Sequence, residues 1–167
     1  VGIDRLERLK CVPLKLKTIE LFVNENPSYI DKVVFVIIGI SASERGEDFI
    51  QSRRDVRCLV TRLNRKHPGL IHFEERKEHE MRLFQRLSLF CISEVLLVTA
   101  IRDGLNRLPI EYTLARSIAR RREDVTVSDT TQVTFTDIRS RSGDGVVVLS
   151  EFVSTARVMR GALLINP

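Results

Sequence analysis

Val95-Leu96-Leu97-Val98-Thr99, followed after Ala100 and Ile101 by Arg102-Asp103-Gly104-Leu105-Asn106 and then by Glu111, joins a buried strand to a charged turn and a helix. The opening residues are nearly all apolar, as suits a strand covered on both faces rather than one with a wet side. Just downstream, Leu108, Tyr112, Ala115 and Ala119 fall on one helical face. A strand that ends in charged and glycine residues and then feeds a helix puts polar chemistry at its carboxyl end, where open α/β sheets bind their ligands.

The same alternation extends in both directions. Val1-Gly2-Ile3-Asp4 reads as the tail of a strand, and Pro13 opens a helix with the stripe Leu16, Ile19, Phe22 and Val23, ended by Asn24-Glu25-Asn26-Pro27. Proline suits the first helical turn, where its missing N–H has no partner to lose. Val33 to Ile40 predicts a second buried strand, and Phe49, Val56, Leu59, Val60 and Leu63 the face of a second helix that His67-Pro68-Gly69 ends. Leu70 to Phe73 predicts a short strand, and Glu78 to Cys91 a third helix with Met81, Phe84, Leu87 and Cys91 in register. The fourth helix runs out in Arg120-Arg121-Arg122, and residues 123–145, rich in Ser, Thr, Asp and Gly, predict a surface insertion. Val146 to Leu149 restores a strand, a short helix near Thr155 to Met159 stops at Gly161, and Leu163 to Ile165 is the last strand. Strands that alternate with helices in this way predict one α/β domain over 1–167, with a mainly parallel sheet and helices on both faces.

The formal charge of +5 comes from 27 basic and 22 acidic residues that interleave along the chain. It favours an anionic ligand without forming the dense basic stripe of a nucleic-acid binder. Cys11, Cys58 and Cys91 are odd in number and widely spaced, which points away from a disulfide framework or a CxxC metal knuckle and fits a reducing, cytoplasmic compartment. No apolar run is long enough to span a bilayer, and no basic-then-apolar leader opens the chain. Both ends look cut, so an excerpt of a longer protein is expected.

Two groups of residues carry candidate chemistry. Arg5 and Lys10 lie between the first strand and the Pro13 helix, where a guanidinium and an ammonium near a helix start suit a pyrophosphate, although solvated loop charges would look the same. The second group runs from Asp103 to Glu111. Gly104 lets ligand atoms approach the backbone, and the amides of Leu105, Asn106 and Arg107 lie at a helix start that favours negative charge. Asp103 can accept hydrogen bonds from sugar hydroxyls, and Glu111 can hold the two hydroxyls of a ribose. The alternative makes Asp103 a helix cap and Glu111 a surface acid; pattern alone leaves both open. Glu151, behind the Val146 strand, either lines the same pocket or begins the next helix. Glu74-Glu75 and Glu78-His79-Glu80 read as a solvated face, and Arg120-Arg121-Arg122 as cations that complement a helix C-terminus. His67, His72 and His79 lack the i, i+4 spacing of helical metal ligands.

Taken in order, five stretches resemble the trehalose-6-phosphate synthase family from end to end. They are Val1-Gly2-Ile3-Asp4-Arg5-Leu6 with Lys10 and Pro13, Leu97-Val98-Thr99, Arg102-Asp103-Gly104-Leu105-Asn106 with Glu111-Tyr112, Val148-Leu149-Ser150-Glu151-Phe152, and Ala162-Leu163-Leu164-Ile165-Asn166-Pro167. The resemblance covers the carboxyl-terminal, nucleotide-sugar-binding half of that two-domain GT-B glycosyltransferase and implies a Rossmann-like domain. It implies transfer of glucose from UDP-glucose to glucose 6-phosphate, with retention and without a metal or other cofactor, to give trehalose 6-phosphate and UDP. Carried over by position, Arg5 and Lys10 would bind the UDP phosphates and stabilise the departing one. Asp103 would hold hydroxyls of the donor glucose, the backbone through Gly104, Leu105, Asn106 and Arg107 would meet sugar and diphosphate, and Glu111 would bind the ribose; Glu151 is counted with the binding residues. The implied partners are an amino-terminal acceptor domain of the same chain, without which this part would be inactive alone, and in some members a phosphatase domain or other synthase subunits. Neither nucleic acid nor a membrane is expected as a partner.

Departures from the family pattern touch the same loops. Arg8 stands where an aromatic residue is usual, Cys11 where Gly is usual and Leu105 where Met is usual, while Arg107 and Pro109 alter the stretch after Asn106. Some family members are regulatory subunits without synthase activity, which is the first alternative; a basic nucleic-acid-binding module is the second.

Overall fold

A computed structural model describes residues 1–41, 46–123 (120–123 as backbone) and 145–166. Along the chain run β1 (Gly2–Arg5), α1 (Val12–Glu25), β2 (Phe35–Ser41), α2 (Glu47–Lys66), β3 (Ile71–Lys77), α3 (Leu83–Ile92), β4 (Val95–Val98), α4 (Leu108–Glu123), β5 (Val146–Ser150) and β6 (Leu163–Ile165). Short 3-10 turns lie at Arg8–Lys10, Pro27–Tyr29, Glu78–Glu80 and Ser154–Arg157.

Among the described residues all strand pairing is parallel: β2 lies between β1 and β3, and β5 between β4 and β6. The two halves join through Val1, whose nitrogen donates to the Val95 carbonyl at 2.6 Å and whose carbonyl accepts from the Leu97 N–H at 2.9 Å. The strands therefore follow one another as β3-β2-β1-β4-β5-β6. Chain growth runs outward from β1 to β3 and then restarts at β4 on the other side of β1. Such a reversal leaves a crevice at the carboxyl ends of β1 and β4.

Alternate side chains of the sheet face two separate cores. Ile37 points to the α1 and α2 side, where Leu6, Val12, Leu16, Val56 and Leu63 are fully buried. Ile38 and Ile40 point the other way, toward Phe90 of α3 and Tyr112 of α4, whose rings meet edge to face at 5.6 Å. Helices thus cover both faces, as the buried strands predict. Among the described residues, no helix is long and apolar enough to cross a membrane.

A buried ion pair fastens the centre of the sheet. Lys15 reaches from α1 to Asp4 at 2.5 Å and to the Leu97 carbonyl at 3.0 Å, so one ammonium ties α1, β1 and β4 together. Gly2 leaves room for it: a Cβ there would lie 2.8 Å from the Lys15 nitrogen.

Three expectations are corrected. β3 continues from Ile71 to Lys77 instead of ending at Phe73, because its whole length pairs with β2 and its acids find partners. Glu75 receives Arg53 at 2.6 Å and Arg57 at 2.7 Å, both from α2, so Glu74-Glu75 belongs to the strand and Glu75 is held in ion pairs instead of lying on a solvated face. The third helix starts at Leu83, five residues later than Glu78, since the N–H of Arg82 is taken by the Gln85 side chain at 2.8 Å and sets a new helix start. That start exposes Phe84 (78%) and buries Phe90 (0%). The short helix near Thr155 is a single 3-10 turn, Ser154–Arg157. The insertion, apart from its flanks, and the Arg120-Arg121-Arg122 side chains lie outside the described residues.

Candidate functional site

A cleft of about 360 Å³ opens where β1 and β4 end. Its walls come from three connections. The link from β1 to α1 supplies Arg5 and Lys10; the link from β3 into α3 supplies Glu78, Met81 and Arg86; the link from β4 to α4 supplies Asp103, Leu105, Asn106, Arg107 and Glu111.

The first connection leaves β1, turns through the 3-10 residues Arg8–Lys10 and enters α1 through Cys11, whose φ of 53° and ψ of 34° are left-handed. Only a few per cent of non-glycine residues adopt that region. The conformation lets the Cys11 N–H close the 3-10 turn on the Arg8 carbonyl at 3.1 Å while its own carbonyl accepts from Lys15 at 2.9 Å to begin the helix. The thiol donates to Arg8 O at 3.3 Å, and burial pushes its pKa up.

The third connection is docked onto the first. Ile101 N–H donates to the Leu9 carbonyl at 2.9 Å, and Lys10 meets Asp103 at 2.6 Å with both side chains 17% exposed. Asn106 donates to Asp103 at 3.1 Å, and its side-chain oxygen accepts from the Leu108 N–H at 3.0 Å. Asn106, not Asp103, is therefore the residue that caps α4, and Asp103 is turned to the cleft. The turn is braced from behind by Thr155, whose hydroxyl donates to the Asn106 carbonyl at 2.8 Å, and by a parallel bridge between Asp103 and Val153.

Arg5, Lys10 and Arg86 each meet a carboxylate in the cleft. Arg5 pairs with Glu78 at 2.7 Å near the mouth, where both are well exposed. Deeper in, Arg86 grips Glu111 through two parallel bonds of 2.8 and 3.0 Å. Fork-shaped pairing of this kind fixes the plane of the carboxylate as well as its charge. The result is a cleft with cations at its β1 side and oriented carboxylates along β4 and α4, able to bind a ligand with phosphates at one end and hydroxyls beside them. Among the described residues, no group of His, Cys, Asp and Glu side chains gathers as metal ligands would.

Of the residues expected from the sequence, Arg5, Lys10, Asp103, Leu105, Asn106, Arg107 and Glu111 line this one cleft. Gly104 is exposed in the turn between them without lining it. Glu151 stands apart, exposed at the end of β5, where it accepts from Asn166 at 2.6 Å. Glu78, Met81 and Arg86 were not expected. Their signal was hidden because a helix drawn from Glu78 turns Glu78 to solvent, whereas the 3-10 turn brings it back over Arg5.

A family model described as glycosyltransferase family 20 matches residues 1–167. The UDP-forming alpha,alpha-trehalose-phosphate synthase of Candida albicans is 33% identical over 168 residues, covering 100% of this chain and 30% of that protein. Its counterpart in Zygosaccharomyces rouxii is 34% identical over 172 residues, covering 100% of this chain and 29% of that protein. The chain thus spans under a third of the length of these relatives. Among solved structures, the E. coli protein bound with UDP-2-fluoro glucose shares the fold at a TM-score of 0.77 and 22% identity, over 99% of this chain and 32% of its own. The UDP-forming synthase of Burkholderia xenovorans in complex with glucose-6-phosphate does so at a TM-score of 0.77 and 22% identity, over 99% and 32%.

Proposed function

The chain belongs to glycosyltransferase family 20, and from that premise we propose that it is the donor-binding half of a UDP-forming trehalose-phosphate synthase, transferring glucose from UDP-glucose to glucose 6-phosphate with retention. The observation that carries this reading is the convergence of Arg5, Lys10, Asp103 and Glu111, from sequence stretches far apart, on one cleft at the reversal point of the sheet.

In this reading the diphosphate lies against Arg5 and Lys10, the ribose against Glu111, and the glucose against Asp103 and the backbone from Gly104 to Arg107. As the bond between the anomeric carbon and the phosphate oxygen breaks, its electron pair goes to that oxygen. Lys10 and Arg5 are placed to meet the growing charge more strongly than they meet the ground state, which is what accelerates the step. The cations supply the charge stabilisation, so the proposal assigns no metal, and no side chain of this cleft is assigned as nucleophile. The acceptor is held by a part of the protein outside this chain.

The test is release of UDP from UDP-glucose by the full-length protein with glucose 6-phosphate as acceptor. Lys10→Ala is expected to lower kcat by about 10²-fold, the scale of losing one electrostatic contact to developing charge. UDP binding without any release would identify a regulatory family member instead.

A further inference from the structure

We propose that Arg86 is a positioning residue that sets the Glu111 carboxylate for a vicinal pair of ribose hydroxyls, so that the cleft selects ribonucleotides over 2′-deoxyribonucleotides; the proposal rests on the nucleotide-sugar reading of the cleft.

Arg86 belongs to the first turn of α3, and that turn is itself fixed. The N–H of Arg82 donates to the Gln85 side chain at 2.8 Å, and Arg86 N–H donates to the Arg82 carbonyl at 3.2 Å. From this base the guanidinium makes three bonds. Nε donates to Glu111 Oε2 at 2.8 Å, Nη2 to Glu111 Oε1 at 3.0 Å, and Nη1 to the Met81 carbonyl at 2.8 Å. The third bond matters because it holds the fork against the backbone, so the guanidinium cannot swing with the carboxylate. Arg86 is 19% and Glu111 17% exposed, so the pair is mostly shielded from water while Glu111 still lines the cleft.

An ionised carboxylate offers about four lone-pair sites, two on each oxygen. The fork occupies one site on each oxygen and leaves one on each free. Two adjacent hydroxyls can donate to those remaining sites at once, which a 2′-deoxyribose cannot do. Arg86 also offsets the negative charge of Glu111. Without that offset, the carboxylate would repel the phosphate next to the ribose, which UDP and UMP share. Arg86 thus acts through Glu111 and need not touch the ligand.

Calorimetric titration of the full-length protein with UDP, 2′-deoxy-UDP and UMP separates the possibilities. The native protein is expected to favour UDP over 2′-deoxy-UDP by about tenfold, the value of one hydrogen bond to a charged group. Arg86→Gln is expected to shrink that preference to about twofold or less while leaving the preference for UDP over UMP, which reports the Arg5 and Lys10 end, unchanged. Arg86→Lys restores the charge but not the fork, and is expected to recover affinity without recovering the ribose preference; it also carries the comparison if Arg86→Gln does not fold. A ribose preference that survives both substitutions, or a uniform loss of affinity for all three ligands, overturns the positioning role. A native protein that binds none of the three nucleotides overturns the nucleotide reading itself and this inference with it, whereas native binding with an unmoved preference overturns only the inference.

Discussion

Cys11 holds a left-handed backbone at the junction between the Arg5–Lys10 loop and α1. Backbone of this kind costs a non-glycine residue on the order of 1–3 kcal/mol, and the cost is highest for β-branched side chains. Cys11→Gly is therefore expected to change stability by less than about 1 kcal/mol, relief of strain offsetting the loss of a small buried side chain, whereas Cys11→Val is expected to cost about 1–3 kcal/mol in urea unfolding. Burial raises the pKa of the Cys11 thiol, and Cys58 is exposed. Alkylation followed by mass spectrometry is expected to label Cys58 first and to spare Cys11 until the protein unfolds, because the thiolate is the reactive form. Asp103 and Glu111 make a second contrast. Asp103 holds Lys10 at 2.6 Å, so Asp103→Ala frees an ammonium for phosphate and is expected to spare or tighten UDP binding while weakening UDP-glucose. Glu111→Ala is expected to weaken UDP by about 1–3 kcal/mol through lost charged hydrogen bonds. Equal loss of both ligands in the Asp103 variant would contradict the roles assigned to the pair.

Among the elements, those with continuous apolar patterns were legible and those shaped by paired charges were not. β4 and β2 announce themselves by runs that only a two-sided core can use, and α1 and α2 by stripes that the structure buries at Leu16, Ile19, Val56 and Leu63. β3 was cut short in the reading because Glu74 and Glu75 look like solvent-facing acids; the arginines that neutralise Glu75 come from α2, roughly a turn apart on a different element. Lys15 was passed over for the same reason. Nothing local marks a lysine beside a helical stripe as buried, and its partners are on β1 and β4. Removing one member of a buried pair leaves the other charge uncompensated, so Lys15→Met is expected to cost about 3–5 kcal/mol in denaturant unfolding. Since the same ammonium bridges β1 and β4, the loss is expected to reach the cleft, and amide exchange at Leu97 should quicken with it.

For the molecule as a whole, strand order decides where chemistry can sit. A sheet that grows outward from β1 and restarts at β4 has one natural opening, and the charged loops after β1 and β4 both empty into it. Two of the three cleft walls were readable from sequence because each follows an apolar strand directly. The third, from Glu78 to Arg86, follows a strand disguised by acids and begins with a 3-10 turn, so its contribution appears only in three dimensions. The family resemblance carried Arg5, Lys10, Asp103 and Glu111 to one site, and the fold brings those residues together; it leaves Gly104 at the rim and Glu151 elsewhere. This cleft is proposed to hold the nucleotide diphosphate of a sugar donor. Calorimetric titration of the full-length protein with UDP tests it most directly. One saturable site is expected, with an affinity that falls by about tenfold or more in each of Arg5→Ala and Lys10→Ala, as loss of a charge-assisted contact requires. Absence of saturable UDP binding, or binding that ignores both substitutions, would contradict it.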